Sequence, residues 1–253
     1  MSVLDSGPGI PHTQRRCAPG VTSWNDDPVD LLADWMNVSG GPGRPFVTYY
    51  DIHSGERIEL SGTTTQNWMA KTANLLVDDL DAGPGSRVQI GLPTHWLRVV
   101  WLLATWSVGA TVVDTEADVA VVGPDLDLGR SPTARHRVAA SLLPLGQPFA
   151  EVPDDFIDLG AALPGQPDVF APFDVAPDDA VAVDVAKRRM TYASLVAETE
   201  PLSARVLLQP GSLVHDIAAV VGTALGGGSM VLVSNASDDD IARLAAQEHA
   251  EVP

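Results

Sequence analysis

The sequence predicts an α/β fold made of two doubly wound, mostly parallel sheets with flanking helices. Three observations carry that expectation. Short runs of Val, Ile and Leu alternate with helix-periodic segments along most of the chain. The joints are short and marked by glycine, as at Gly83-Pro84-Gly85, Gly109 and Gly226-Gly227-Gly228. The alternation also occurs twice, before and after a stretch interrupted by Pro144, Pro148, Pro153, Pro164, Pro167, Pro172 and Pro177. Parallel strands need long crossovers, and the helical segments supply them. The expected organisation is a loosely ordered segment at 1–27, a first α/β subdomain at 28–175 and a second, smaller one at 176–253.

Taken in order, residues 30–38 have helical spacing through Leu31, Leu32, Trp35 and Met36, and Gly40-Gly41-Pro42-Gly43 ends that helix. Residues 46–51 and 56–60 read as strands joined at a Ser54-Gly55 turn. A helix capped within Thr63 to Thr65 runs to about Leu80, with Trp68, Met69, Ala73, Leu76 and Val77 on its apolar stripe. Ser61-Gly62-Thr63-Thr64-Thr65 has the composition of a phosphate loop but no lysine at short spacing. Capping explains it, and Lys71 is then expected along the helix. Residues 87–92 form a strand. The helix after it, to Val108, is apolar all round, so Trp96, Trp101 and Trp106 are expected in the core. Residues 110–113 and 119–122 are strands, 138–143 a further strand, and 154–163 a short helix.

In the last third, 181–185 is a strand, and a connector leads to a helix at 192–198 capped by Thr191. Residues 205–208 and 230–233 are strands. A helix between them starts at Ser212, and a final helix starts at Ser237 with Asp238, Asp239 and Asp240 in its first turn.

Composition excludes some functions. Asp and Glu outnumber Lys and Arg 33 to 15, giving a net charge of −18, which repels phosphate backbones and argues against nucleic-acid binding. The single Cys17 allows neither an intrachain disulfide nor a cysteine metal cluster. His12, His53, His95 and His136 have no metal-ligand spacing, so no metal is expected. The longest apolar stretch, 96–113, is interrupted by Arg98, Thr105, Ser107 and Gly109 and suits a buried helix and strand better than a membrane span. With no leader pattern at residues 1–11, a cytoplasmic location is expected.

Tyr49-Tyr50, Gly55-Glu56-Arg57, Leu60-Ser61 and Gly85-Ser86-Arg87-Val88-Gln89-Ile90 resemble, in order, the opening of the adenylate-forming superfamily of acyl-CoA synthetases, luciferases and adenylation domains. Val108-Gly109-Ala110-Thr111-Val112-Val113 and residues 205–233 continue the resemblance. It extends over about 46–122 and 178–250, and is similar to a short actinobacterial group related to the N-terminal half of these AMP-binding enzymes. The resemblance implies an ATP-phosphate loop, rich in Ser, Thr and Gly and ending in Lys, at 181–192. No residue from 178 to 192 is glycine. Asp184, Lys187 and Thr191 stand at that position, and the sequence there is not suited to cradling phosphate. The resemblance also implies an acyl-pocket helix near Ser212, with Val214, His215 and Ala218 as candidate lining. His215 and Asp216 are helix neighbours and are not expected to form a dyad. No catalytic residue and no cofactor are assigned. Three functions fit: a non-adenylating scaffold binding a partner or itself, one half of a split enzyme, and a binder of small acyl or aryl acids.

Overall fold

The computed structural model describes residues 43–127, 131 and 133–253; the helix expected at 30–38 and the segment 1–27 lie outside the described residues. Two sheets are formed. The smaller contains β1 (Pro45–Asp51), β2 (Glu56–Ser61), β10 (Arg205–Leu208) and β11 (Ser229–Ser234), in the order β10-β11-β1-β2. The larger contains β3 (Arg87–Gly91), β4 (Thr111–Val113), β5 (Val119–Val122), β6 (His136–Ala139), β7 (Ile157–Asp158), β8 (Val181–Val185) and β9 (Arg188–Thr191), in the order β7-β6-β5-β3-β4-β8-β9. All pairings are parallel except the hairpins β1–β2 and β8–β9.

The two sheets do not divide at residues 175 and 176. β1 pairs with β11 (Tyr49 opposite Leu232), and β8 pairs with β4 (Val112 opposite Val183), so each sheet takes strands from both halves of the chain. The physical reason lies in β1. Its interior residues, Phe46 to Tyr50, are all buried, which suits a strand flanked on both edges and covered on both faces rather than one arm of an isolated hairpin.

Helices fill the space between the sheets. α1 (Gly62–Asn74), extended by a π-helical turn at Leu75–Asp79, packs on α2 (Trp96–Ser107). α2 touches β1 of one sheet and β3 and β4 of the other, and every residue from Trp96 to Trp106 is buried. Trp96, Trp101 and Trp106 are each at most 1% exposed, so the helix is apolar on all sides because it is covered on all sides. α5 (Leu213–Gly226) packs on β11 and α2. α6 (Asp238–Glu248) covers the opposite face of the smaller sheet, where Ile241 and Leu244 meet Tyr50, Leu207, Val231 and Val233.

Local capping follows the sequence closely. Ser61 caps α1, accepting from Thr64 N, so the cap falls two residues ahead of the expected Thr63. Ser212 and Ser237 cap α5 and α6. The three glycines after α5 have separate tasks. Gly227 adopts the left-handed C-cap conformation, φ 69°, while a Cβ on Gly226 or Gly228 would stand 2.3–2.4 Å from backbone atoms of residues Leu202 and Ala204. Between β5 and β8 the expected elements shift. The strand is His136–Ala139 rather than 138–143. The segment 154–163 holds the two-residue β7 before a single helical turn, α3 (Leu159–Ala162), capped by Asp158.

Candidate functional site

The connector between 181–185 and the helix at 192–198 is not a loop but a second strand. β8 turns back directly into β9, with Val185 opposite Arg188 and Asp184 opposite Arg189. Only Ala186 and Lys187 lie between the strands, at φ 51° and 65°. Positive φ at both central positions is the signature of a two-residue hairpin turn whose twist matches its strands. One of its two amides is already taken, unlike those of a glycine-rich cradle. Ala186 N donates to Asp114 Oδ2 at 2.8 Å, so a carboxylate already faces the turn. Asp184 adds a second carboxylate on β8, 3.8 Å from the Arg87 guanidinium. Thr191 lies at the far end of β9, roughly 13 Å from Lys187 at about 3.3 Å per residue. There it caps α4 (Tyr192–Glu198) in a reciprocal pair of bonds with Ser194. Asp184, Lys187 and Thr191 are therefore not brought together, and these residues do not fit an ATP triphosphate.

Lys71 lies along α1 and is paired with Asp168 at 2.6 Å, in keeping with capping at Ser61 to Thr65.

Val214, His215 and Ala218 do converge. They line one open cavity of about 310 Å³ with residues of α4, β8, β9 and β10 and with Leu202 and Pro253. Its interior is aliphatic, with Val183, Met190, Leu195, Val206, Leu208 and Ile217. The polar groups stand at its mouth: Arg188, Glu198, Glu200 and His215. The Thr199 hydroxyl is already donated to Leu195 O at 2.6 Å.

Below this cavity is a polar network that sequence reasoning missed. Arg98 of α2 and Asp216 of α5 are 8% and 4% exposed and form an ion pair at 2.5 Å. Thr94 Oγ1 donates to the same Asp216 oxygen at 2.8 Å and accepts from Gly211 N. Arg98 Nε donates to Leu92 O, and Ser234 Oγ donates to Thr94 O. Groups just beyond the carboxyl ends of β3 and β10 thus converge on one buried pair, and Ser234 at the end of β11 joins them through Thr94, which ties both sheets together. The carboxyl ends of strands are where open α/β sheets usually receive ligands; here the chain's own charges fill part of that edge. The available signal was one charge on each of two otherwise apolar helices. Asp216 Oδ1 also stands 3.4 Å from His215 Nδ1, so these neighbours do meet, although the carboxylate's short bonds go to Arg98 and Thr94.

His95 caps α2, its Nδ1 accepting from Leu97 N, which puts the neutral ring's proton on Nε2. The ring is 2% exposed and packs edge-on to Tyr49, and Nε2 has no partner among the described residues. Burial pushes its pKa down to about 3. No group of three or more His, Cys, Asp or Glu side chains among the described residues is placed to hold a metal ion, and no described helix is long and apolar enough to cross a membrane.

The fold is that of the N-terminal portion of the adenylate-forming enzymes. The chain superimposes on a Brucella canis acyl-CoA synthetase with a TM-score of 0.71 at 15% identity, covering 88% of this chain and 46% of that one. It superimposes on the acetoacetyl-CoA synthetase of Streptomyces lividans with a TM-score of 0.69 at 18% identity, covering 87% and 41%. A fatty acyl CoA synthetase of Mycobacterium tuberculosis gives 0.66 at 16% identity, covering 88% and 48%. The chain thus spans less than half the length of these enzymes. No family model matches it. A Mycobacterium tuberculosis (strain ATCC 25618 / H37Rv) protein described as a TIGR03089 family protein is 34% identical over 227 residues, covering 82% of this chain and 90% of the relative. The chain belongs to the TIGR03089 family.

Proposed function

We propose that this protein is a non-adenylating relative of the acyl-CoA synthetases that binds a small ligand with an aliphatic body in the cavity between α4 and α5. The observation that carries the reading is the Ala186-Lys187 turn. Only two residues join the strands, and the Ala186 amide of the turn is satisfied by Asp114. Oriented N–H donors are worth roughly 2.7–4 kcal/mol each to a developing oxyanion. Losing them, with carboxylates standing in their place, leaves little to hold or activate a triphosphate. The cavity supports the binding half of the reading, because it offers aliphatic walls with polar groups only at the rim.

The test is isothermal titration calorimetry of the full chain with ATP and Mg²⁺, alongside pyrophosphate exchange with a panel of carboxylic acids. The expected result is neither saturable heat at millimolar nucleotide nor exchange above background. Micromolar ATP affinity, or acid-dependent exchange, would overturn the proposal.

A further inference from the structure

Resting on the reading that this cavity is a ligand site, we infer that it selects an aliphatic primary amine over the corresponding carboxylic acid. The argument is one of charge and donor supply. At the mouth Arg188 is the one side chain that is always cationic, and its Nη2 stands 3.6 Å from Glu198 Oε2. A ligand carboxylate reaching for Arg188 must compete with that partner. Glu200, exposed at the same rim, has no ion-pair partner among the described residues. The formal charge of Arg188, Glu198 and Glu200 together is −1, within a chain of net charge −18. Deeper in, the aliphatic walls offer a carboxylate no free side-chain donor, since the Thr199 hydroxyl is spent on Leu195 O. Burying a carboxylate without donors is costly. An ammonium left at the mouth needs only acceptors, has three N–H groups, and meets there the Glu200 carboxylate, unpaired among the described residues, beside Glu198, which it shares with Arg188. The 310 Å³ volume has room for roughly ten water-sized groups at about 30 Å³ each, which suits a chain of six or so carbons.

The experiment compares n-hexylamine, n-hexanol and sodium hexanoate at matched ionic strength, by calorimetry and by thermal shift, on the full chain. Hexylamine is expected to bind about tenfold more tightly than hexanoate, the scale of reversing one ligand charge near an exposed carboxylate in a water-like dielectric, with hexanol between. Glu200→Gln should narrow the ratio to under threefold. Ala218→Trp, which adds bulk at an exposed helix position lining the cavity, should abolish amine binding while leaving the fold's circular dichroism unchanged. Hexanoate binding as tightly as hexylamine, or an unchanged ratio in Glu200→Gln, overturns the inference while leaving the ligand site standing. Amine binding that persists in Ala218→Trp would place the amine on the acidic surface at large and would also overturn it. If none of the three ligands binds, hexanol included, the ligand-site reading itself fails.

Discussion

Replacing Lys187 by glycine should make the protein more stable, although it removes a side chain and adds chain flexibility. Lys187 sits at φ 65° and Ala186 at φ 51°. A residue with a Cβ is about 1–2 kcal/mol worse off in left-handed geometry than in right-handed geometry. Glycine escapes that penalty but gives back about 0.4–1 kcal/mol through the greater freedom of its unfolded chain. The net expectation for Lys187→Gly is a gain of about 0.5–1 kcal/mol. Ala186→Asn adds a few tenths, because Asn tolerates this region better than Ala. The Asn-Gly double variant should therefore gain about 1 kcal/mol, or about 2–4 °C in Tm for a chain of this size. Lys187→Val supplies the opposite sign: a β-branched residue at φ 65° should lower Tm by a similar amount. Thermal unfolding by circular dichroism, with urea unfolding as a check, reads all three. The turn is the foundation of the non-adenylating reading, so the result matters beyond stability. A lowered Tm for Lys187→Gly, or a neutral Lys187→Val, would mean that residues 185–188 do not form a two-residue turn, and the claim that no phosphate loop exists there would lose its basis.

Asp216→Ala should destabilise the protein by about 3–5 kcal/mol by urea unfolding, since it leaves the Arg98 guanidinium buried without its carboxylate; the double variant Arg98→Met/Asp216→Leu should recover most of that loss, and a double variant no better than the single would refute the pairing. His95 gives a pH signature: its folded pKa, about 3, lies below the usual 6.5, so the neutral ring's stabilisation is complete above about pH 6.5 and is lost as pH falls toward 3. At pH 5 the loss from this group is about 2 kcal/mol. His95→Asn, which keeps a capping oxygen, should flatten stability against pH between 6.5 and 5 by about that amount, and an unchanged profile would show that the ring titrates normally.

The elements were legible where local chemistry fixed them. Ser212 and Ser237 announce their helices because a hydroxyl at that position satisfies an otherwise orphaned N–H. The uniform apolarity of residues 96–106 announced a helix covered on every side. The sheet partners were not legible. Pairing β1 with β11 joins Val47 to Met230 across most of the chain, and no local period encodes which strand will be the neighbour. The hairpin at 186–187 escaped for a different reason. Two-residue turns are normally signalled by Asn-Gly or Asp-Gly, and Ala-Lys carries no such mark. Strand β9 was hidden as well, because Arg188 and Arg189 are exposed edge residues that suggest a solvated loop. At the candidate site, Val214, His215 and Ala218 could be grouped only through the resemblance to an acyl-pocket helix, whereas Asp114 and Glu200 come from other elements.

The contrast between the turn and the Arg98–Asp216 pair shows where this fold draws its stability, and it bears on the proposed non-adenylating reading. A phosphate loop contributes little to a core; its glycines cost chain entropy and its amides wait for an anion. Closing β8 onto β9 with two residues converts that segment into hydrogen-bonded sheet edge, with Met190 facing the core at 6% exposure. The charges that hold the sheets together lie elsewhere, just beyond the carboxyl ends of β3 and β10, and none of them involves residues 184–191. The β8–β9 hairpin and the charges that bind the sheets thus occupy separate parts of the molecule. Variants at the hairpin and variants at Asp216 should therefore add in their effects on unfolding to within about 0.3–0.5 kcal/mol, as independent sites do. A coupling above about 1 kcal/mol between Lys187→Gly and Asp216→Asn would show that the two regions act as one unit, and that reshaping the turn had required reshaping the core.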